Sequence, residues 1–262
     1  MDALCARQPH PDGTGYLRLS PAASLPLLGT FHEVSVAATQ VRASVEFYES
    51  LGFTQASTAD TFSHPYGVLT DGRLFIGLHQ RADPSPVLTF VRPGVAQSVP
   101  AFAAAGIELT VCRTGEEVFN ELGFLDPFGH AVAVLEARTY SPVGRGDAAA
   151  SLCGDFAEVS LPVSDFSRAQ GFWEPLGFVA AEPAEIPYPH LPLTSDRLDL
   201  AFHRPSVCAR AMLVFRGPQL AARLARLRER GFEVRELRGS PANTAAILES
   251  PDGTPLLLQA EQ

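Results

Sequence analysis

The spacing of apolar and polar positions changes at one clear point early in the chain. Residues 33–36 alternate between polar and apolar side chains, which is the period of a half-buried strand. From Val41 to Leu51 the apolar residues instead recur at helical spacing. Gly52 follows, where a left-handed helix end favours glycine. This segment therefore predicts a strand followed by a helix.

Short apolar runs separated by turn residues follow this helix. Asp71-Gly72 and the sequence from Asp126 to Gly129 each lie between two such runs and predict turns. A second helix is predicted from Pro93 to Gly106, since proline suits the first turn of a helix. Residues 31–135 thus contain the order strand, helix and three strands twice.

The whole arrangement returns 125 residues later. Residues 31–53 read FHEVSVAATQVRASVEFYESLGF, and residues 156–178 read FAEVSLPVSDFSRAQGFWEPLGF. Phe47 matches Phe172, with a shift of 172 − 47 = 125. Solenoid repeats run to roughly 20–50 residues, so a period this long indicates two copies of a domain. We predict a loosely held leader at 1–28, a first module at 29–137, a linker at 138–153 and a second module at 154–262.

Composition and charge limit the kinds of partner and the cellular location that we expect. The net charge of −9 argues against nucleic acid, and no apolar run approaches the roughly 18 residues that span a bilayer. The four cysteines are far apart, form no CxxC pair and are typical of reduced thiols: Cys5, Cys112, Cys153 and Cys208. The first residues lack the pattern of a signal peptide. We therefore expect a cytoplasmic protein.

Two recurring motifs resemble one known superfamily. An FYxxLGF-like segment closes the first helix of each module, and a turn of the DPxG type precedes its last strand. Paired βαβββ units with these motifs resemble the vicinal oxygen chelate superfamily, which includes glyoxalase I, extradiol dioxygenases, fosfomycin-resistance enzymes and bleomycin-binding proteins. The resemblance implies an α+β fold in which curved mixed sheets surround cavities. It does not choose among lyases, isomerases, oxygenases, transferases and binding proteins.

The resemblance also implies where metal ligands would stand. Metal-dependent members take four ligands per site, usually His, Gln or Glu, the first lying fifteen residues before the aromatic residue of the FY pair. Counting back from Tyr48 and Trp173 gives Glu33 and Glu158. The remaining positions fall on residues unsuited to a divalent ion, namely Gly77, Val87 and Ala133 in the first module and Ala201, Met212 and Leu257 in the second. We therefore expect no cofactor and no metal, with a divalent metal held by residues such as His79, His203, Glu158 and Asp199 as the alternative.

Glu33 and Glu158 are the leading candidates for chemistry. Strand alternation places both on the concave side of their sheets, where burial would raise the pKa of a carboxyl group. Paired with His79 or His203, such a carboxylate could serve as a general base. The alternative is that each glutamate is held by backbone or arginine partners, or lies in water at the cavity mouth.

Further concave-face residues are candidates for binding a ligand. They are Ser35, Phe75 and Thr89 in the first module, and Ser160, Asp199, Met212 and Arg216 in the second. Asp199 and His203 make the second face the more polar, which favours that module if one alone is active. A salt link of Asp199 with Arg197 or Arg204 is the alternative.

Other aromatic and histidine residues are expected to have structural roles. His32 is one residue out of phase with Glu33 and is predicted to share the helix side with the valines. The FY and FW pairs are expected in the core. His64 and His190 lie in proline-rich segments that could cover the cavities.

Three functions remain open from the sequence. The first is a metal-independent protein that binds a small organic molecule, as bleomycin-type resistance proteins do. The second is an enzyme that acts on a small carbonyl or aromatic metabolite with Glu and His as acid–base groups. The third is a metal-dependent lyase or dioxygenase, and a purely structural duplicate is a further alternative. Fused modules are expected to form a monomer or a homodimer.

Overall fold

The computed structural model describes residues 26–57, 63–81, 85–137, 151–196, 198–237, 241 and 244–261. Most of the predicted leader and linker, including Cys5, lies outside these residues, as does Arg197. Within them no helix is long and apolar enough to cross a membrane.

Each module forms one eight-stranded mixed sheet with two helices on one face. In the first module the strands and helices are β1 (Thr30–Ala37), α1 (Val41–Ser50), β2 (Thr54–Gln55), β3 (Tyr66–Thr70), β4 (Phe75–His79), β5 (Val87–Arg92), α2 (Val95–Ala104), β6 (Leu109–Arg113), β7 (Glu121–Leu125) and β8 (Ala131–Glu136). In the second they are β9 (Asp155–Pro162), α3 (Phe166–Trp173), β10 (Val179–Ala180), β11 (His190–Thr194), β12 (Leu200–His203), β13 (Met212–Gly217), α4 (Leu220–Glu229), β14 (Val234–Glu236), β15 (Ala245–Glu249) and β16 (Pro255–Ala260). The predicted α+β fold of paired βαβββ units is confirmed.

The two βαβββ units of a module pair with each other. The strand order is β2-β3-β4-β1-β5-β8-β7-β6 in one sheet and β10-β11-β12-β9-β13-β16-β15-β14 in the other. The central contact is the antiparallel pair β1–β5, and β9–β13 repeats it in the second module. The sequence left open whether units exchange between modules, and the pairing places all eight strands of each sheet in one module.

The first helix of the second module ends earlier than its counterpart. α3 stops at Trp173 and a 3-10 turn covers Glu174–Leu176, whereas α1 continues to Ser50. Pro175 lacks an N–H and cannot continue an α-helix, so the last turn tightens.

The motif residues of one module contact the turn of the other. The indole Nε1–H of Trp173 donates to Asp126 Oδ2 at 3.3 Å, and Trp173 is fully buried. In the reciprocal position the buried Tyr48 lies beside Asp252, and burial raises the pKa of its hydroxyl above the ordinary value. The expectation that the aromatic pairs belong to the core is met, and one continuous core spans both modules.

A β-bulge alters the start of the first strand in both modules. In the pairing of β1 with β5 the register shifts between Phe31 and Glu33. In the pairing of β9 with β13 it shifts between Phe156 and Glu158. A bulge adds one residue and reverses the alternation before it. Phe31 therefore packs on the core side against Phe90, with ring centroids 5.5 Å apart. The prediction that His32 shares the helix side with the valines is wrong for this reason.

Candidate functional site

Glu33 is the centre of a hydrogen-bonded group on the concave face of the first sheet. Its Oε1 accepts from the Ser35 hydroxyl at 2.8 Å and lies 3.3 Å from Nε2 of His79. Its Oε2 accepts from the Tyr66 hydroxyl at 2.9 Å. Glu33 and His79 are each 3% exposed. They lie on the neighbouring parallel strands β1 and β4. The fold thus brings two predicted site residues into direct contact.

The group extends in two directions from this pair. Ser35 Oγ is 2.8 Å from Thr89 Oγ1 on β5. On the other side, His64 Nε2 is 3.0 Å from Nδ1 of His79, and the Tyr66 ring stacks obliquely on the His79 ring at 4.5 Å. His64 and Tyr66 are half-buried, so the group leads from the buried floor toward the surface.

The pKa of Glu33 moves opposite to our expectation. Burial alone would raise the pKa of this carboxyl group, but the hydrogen bond with His79, the charge of His32 and the Ser35 hydroxyl together lower it below 4.5. Glu33 is therefore ionised at neutral pH. The sequence predicts the burial of Glu33 and its pairing with His79 correctly, but contains no sign that Tyr66 on β3 donates to the same carboxylate.

Gly77 makes room for the Glu33 carboxylate. A Cβ atom on Gly77 would come within 2.5 Å of Glu33 Cδ and Oε2. Real Cβ atoms essentially never approach this closely. Gly77 stands at the position of the second family ligand, so the first-position carboxylate fills the space that a second ligand would require.

The corresponding glutamate in the second module has an arginine partner. Glu158 Oε1 lies 3.1 Å from the Arg216 guanidinium, although the angles are poor for a hydrogen bond. Burial raises the pKa of Glu158, and the Arg216 charge offsets this only in part. Here the expected direction is confirmed. The first module has Val91 at the position of Arg216.

His203 is a neutral, fully engaged histidine. Its Nε2–H donates to the Cys208 carbonyl at 2.9 Å, and Nδ1 accepts from the Ser160 hydroxyl at 2.8 Å. Burial lowers the pKa of His203 to about 4. Among the contacts of the described residues, none joins His203 to Glu158. The Glu–His pair of the first module is therefore not repeated in the second.

The concave face of the second module is filled by the protein's own side chains. Tyr188, 2% exposed, packs in a cluster with the fully buried Met212, Val214 and Leu257. In the first module the residue equivalent to Leu257 is Ala133, which is half-buried. We expected the second face to be the more polar, and the ring of Tyr188 covers that face.

Two predicted ligand-binding residues lie elsewhere. Phe75 and Asp199, which are equivalent in the two modules, line a cleft of about 450 Å³ between the modules together with His32 and Arg73. Asp199 is exposed and accepts from the Thr194 hydroxyl at 2.6 Å. A second cleft of about 510 Å³ opens between the modules near His130. His32 links this cleft to the group around Glu33 electrostatically, since its charge helps to lower the pKa of Glu33.

Sequence reasoning missed Tyr66 and gave His64 little weight. A signal was present in the repeat. His64-Pro65-Tyr66 in the first module stands where the second has Tyr188-Pro189-His190, with the histidine and tyrosine exchanged. The register agrees, since Tyr66 pairs with His79 as His190 pairs with His203.

Several solved structures share this architecture. A catechol 2,3-dioxygenase superposes with a TM-score of 0.59 at 13% identity, covering 89% of this chain and 88% of that one. The 2,3-dioxygenase LapB from Pseudomonas sp. KL28 gives 0.61 at 13% identity, with 89% and 92% coverage. This is the vicinal oxygen chelate fold. A Mn(II)-bound glyoxalase from Novosphingobium aromaticivorans shares it, with a TM-score of 0.55, 13% identity, and 88% and 82% coverage. No family model and no curated protein matches the sequence.

The comparison overturns the expectation that no cofactor is involved. Vicinal oxygen chelate structures that resemble this chain include the Mn(II)-bound glyoxalase, which points to a metal ion. The donors of the described residues nevertheless fit one poorly. In the described part of the chain no group of three or more His, Cys, Asp or Glu side chains is arranged to hold a metal ion, and Glu33 itself covers Gly77.

Proposed function

We propose that the first module binds a small aromatic molecule with a hydroxyl group on its concave face, and that Glu33 and His79 take up the hydroxyl proton. The observation that carries this proposal is the 3.3 Å contact between the Glu33 carboxylate and the His79 ring, both 3% exposed. A carboxylate and an imidazole within hydrogen-bond reach at a protected surface suit general-base chemistry. Acid–base catalysis is thereby favoured over sequestration alone.

The class of ligand is inferred from the second module. There the phenol ring of Tyr188 occupies the concave face, with its hydroxyl 3.4 Å from Ser160 Oγ. Ser35 is the matching serine in the first module, and its hydroxyl donates to Glu33. A phenol bound in the same way would place its hydroxyl beside Ser35 and Glu33.

The charge of the site favours a neutral ligand. Glu33 is ionised and has Val91 where the second module has the Arg216 cation. A ligand that arrives as an anion would be repelled by the buried carboxylate, whereas a neutral phenol can donate a hydrogen bond to it and release its proton to the Glu33–His79 pair. The name of the catechol 2,3-dioxygenase compared above agrees with this class, since catechol is an aromatic diol.

In the proposed reaction the ligand hydroxyl first donates to the group around Ser35 and Glu33. The proton then moves to Glu33, and the pair carries it as a carboxylate beside a protonated His79. Tyr66 holds the second carboxylate oxygen and so keeps Oε1 directed at Ser35 and His79. The bound molecule is left as a phenolate, which is more reactive at its ring carbons than the phenol.

Binding of 4-nitrocatechol tests the proposal, because its absorption moves to longer wavelength when a hydroxyl ionises. We expect wild-type protein to bind it and to ionise it at a pH where the free compound is neutral. Glu33→Gln keeps the shape of the side chain but cannot accept the proton, so the bound compound should stay un-ionised. Glu158→Gln, the matched change in the second module, should behave as wild type.

The outcomes separate the competing functions. Binding without ionisation in wild-type protein would favour sequestration of a small molecule over catalysis. Ionisation that survives Glu33→Gln would show that Glu33 is not the base. Absence of binding to the wild-type protein would overturn the aromatic ligand itself.

A further inference from the structure

Glu33 and His79 are nearly inaccessible, so a proton that they take up needs a path to water. Both are 3% exposed. His64 lies between them and the surface: its Nε2 is 3.0 Å from Nδ1 of His79, and its ring is half-buried. We propose that His64 carries protons between the Glu33–His79 pair and solvent. This inference rests on the proposed function and names a further residue of that site.

The transfer conserves protons and charge at each step. Nε2–H of His79 donates to the ionised Glu33, so inward transfer starts when His64 takes a proton from water and carries hydrogens on both ring nitrogens. The hydrogen on Nε2 of His64 then moves across 3.0 Å to Nδ1 of His79. His79 passes its Nε2 hydrogen to Glu33 Oε1, and release to water follows the same steps in reverse.

A histidine suits this position because its charge changes near neutral pH. The unperturbed imidazole pKa of about 6.5 allows uptake and release of a proton under ordinary conditions. The Tyr66 hydroxyl, although Tyr66 is also half-buried, is engaged with Glu33 Oε2. Of the two half-buried side chains in this segment, His64 is therefore the one fitted to exchange.

Among its described residues, the second module lacks this connection. Tyr188 stands in the place of His64, and both nitrogens of His203 are engaged, by Ser160 and by the Cys208 carbonyl. The exchange of histidine and tyrosine between the two Pro-centred segments thus separates a module with a proton path from one without. This difference is independent of the 4-nitrocatechol result.

Exchange of the His79 ring N–H with water tests the inference and needs no ligand. It can be measured by saturation transfer from water in spectra of protein labelled with ¹⁵N-histidine. In His64→Gln, which keeps a hydrogen-bonding side chain but cannot carry a proton, we expect exchange to slow at least about tenfold. His190→Gln, a histidine of the matching segment in the second module, should leave the rate unchanged.

Chemical rescue separates a proton carrier from a structural residue. In His64→Ala, added imidazole should restore the His79 exchange rate in proportion to its concentration, since it can enter the vacated space and carry the proton. Melting temperatures of all variants confirm that each is folded.

Two results would overturn the inference: an exchange rate in His64→Gln equal to or faster than that of wild type, or a His64→Ala rate insensitive to imidazole. Slowed exchange together with un-ionised 4-nitrocatechol in wild type would remove the proposed function and retain the proton path. Normal ionisation of 4-nitrocatechol together with unchanged exchange in His64→Gln would retain the proposed function and overturn the proton path.

Discussion

The carboxylate of Glu33 occupies the space above the Cα atom of Gly77, where any other residue would place its Cβ. The two residues lie on the neighbouring parallel strands β1 and β4, with Ser35 directly opposite Gly77. Glycine at this position lets Glu33 fold back toward His79 and Tyr66. The site around Glu33 therefore depends on the lack of a side chain on Gly77.

Gly77→Ala will destabilise the protein and displace Glu33. A methyl group forced into this buried space should cost about 1–3 kcal/mol of unfolding free energy, measured by urea denaturation. Gly171→Ala is the matched control, because it lies in α3 with no atom within 4 Å of the added Cβ. That change should be neutral or stabilising by up to about 1 kcal/mol. Equal effects of the two substitutions would contradict the packing of Glu33 on Gly77.

Glu33→Gln will flatten the acid limb of the stability profile. The folded-state pKa of Glu33 is lowered, so the unfolded chain binds this proton more tightly. The ionised carboxylate contributes stability above pH of about 4.5, and this is lost as the pH falls through the folded-state pKa. Urea unfolding over this acid range should show a steeper fall for wild type than for Glu33→Gln.

Glu158→Gln should show the opposite sign in the same experiment. The folded-state pKa of Glu158 is raised by burial, so its ionisation costs stability as the pH rises above about 4.5. The substitution removes that cost, and its benefit relative to wild type should grow with pH. Parallel profiles for the two glutamate variants would contradict the different surroundings assigned to them.

His203 will stay neutral in the range where most histidines titrate. Its pKa is lowered to about 4, so the unfolded chain binds the proton more tightly between that value and the ordinary 6.5. Stability contributed by the neutral ring is complete above pH of about 6.5 and is lost toward pH 4. The ring Cε1–H resonance in NMR should therefore be flat at neutral pH and begin to move only near pH 4. A midpoint near 6.5 would mean that the bonds to Ser160 and Cys208 do not hold in solution.

Removing the Tyr188 ring will open the concave face of the second module. Tyr188→Gly should cost roughly 3–5 kcal/mol of stability, since the ring is 2% exposed among apolar neighbours. p-Cresol has the shape of the lost side chain and should raise the melting temperature of this variant by more than it raises that of wild type. Tyr188→Phe retains the ring and should gain no such extra stabilisation. Equal shifts in all three proteins would contradict the description of Tyr188 as the occupant of this face.

The repeat of 125 residues shows how far sequence periodicity reaches. Apolar spacing and turn residues are local properties, so they predicted the βαβββ order, and the strand alternation placed Glu33 and Glu158 on the concave faces. The bulge at His32 escaped this reasoning because it reverses the alternation without any change in residue type. Pro175, by contrast, stood in the sequence as a sufficient reason for α3 to end early.

The chain by itself determined that there are two modules, which segments form strands, and that each module presents one glutamate at the start of its sheet. These follow from local spacing, which a strand or helix imposes on its own residues. Only the tertiary structure decided that Glu33 meets His79, Tyr66 and Ser35 while Glu158 meets Arg216. Apart from Ser35, these partners lie dozens of positions away along the chain. The two sites also differ in charge, because Val91 stands in the first module where the second has Arg216. The same long-range packing puts Tyr188 over one concave face and His64 beside the other.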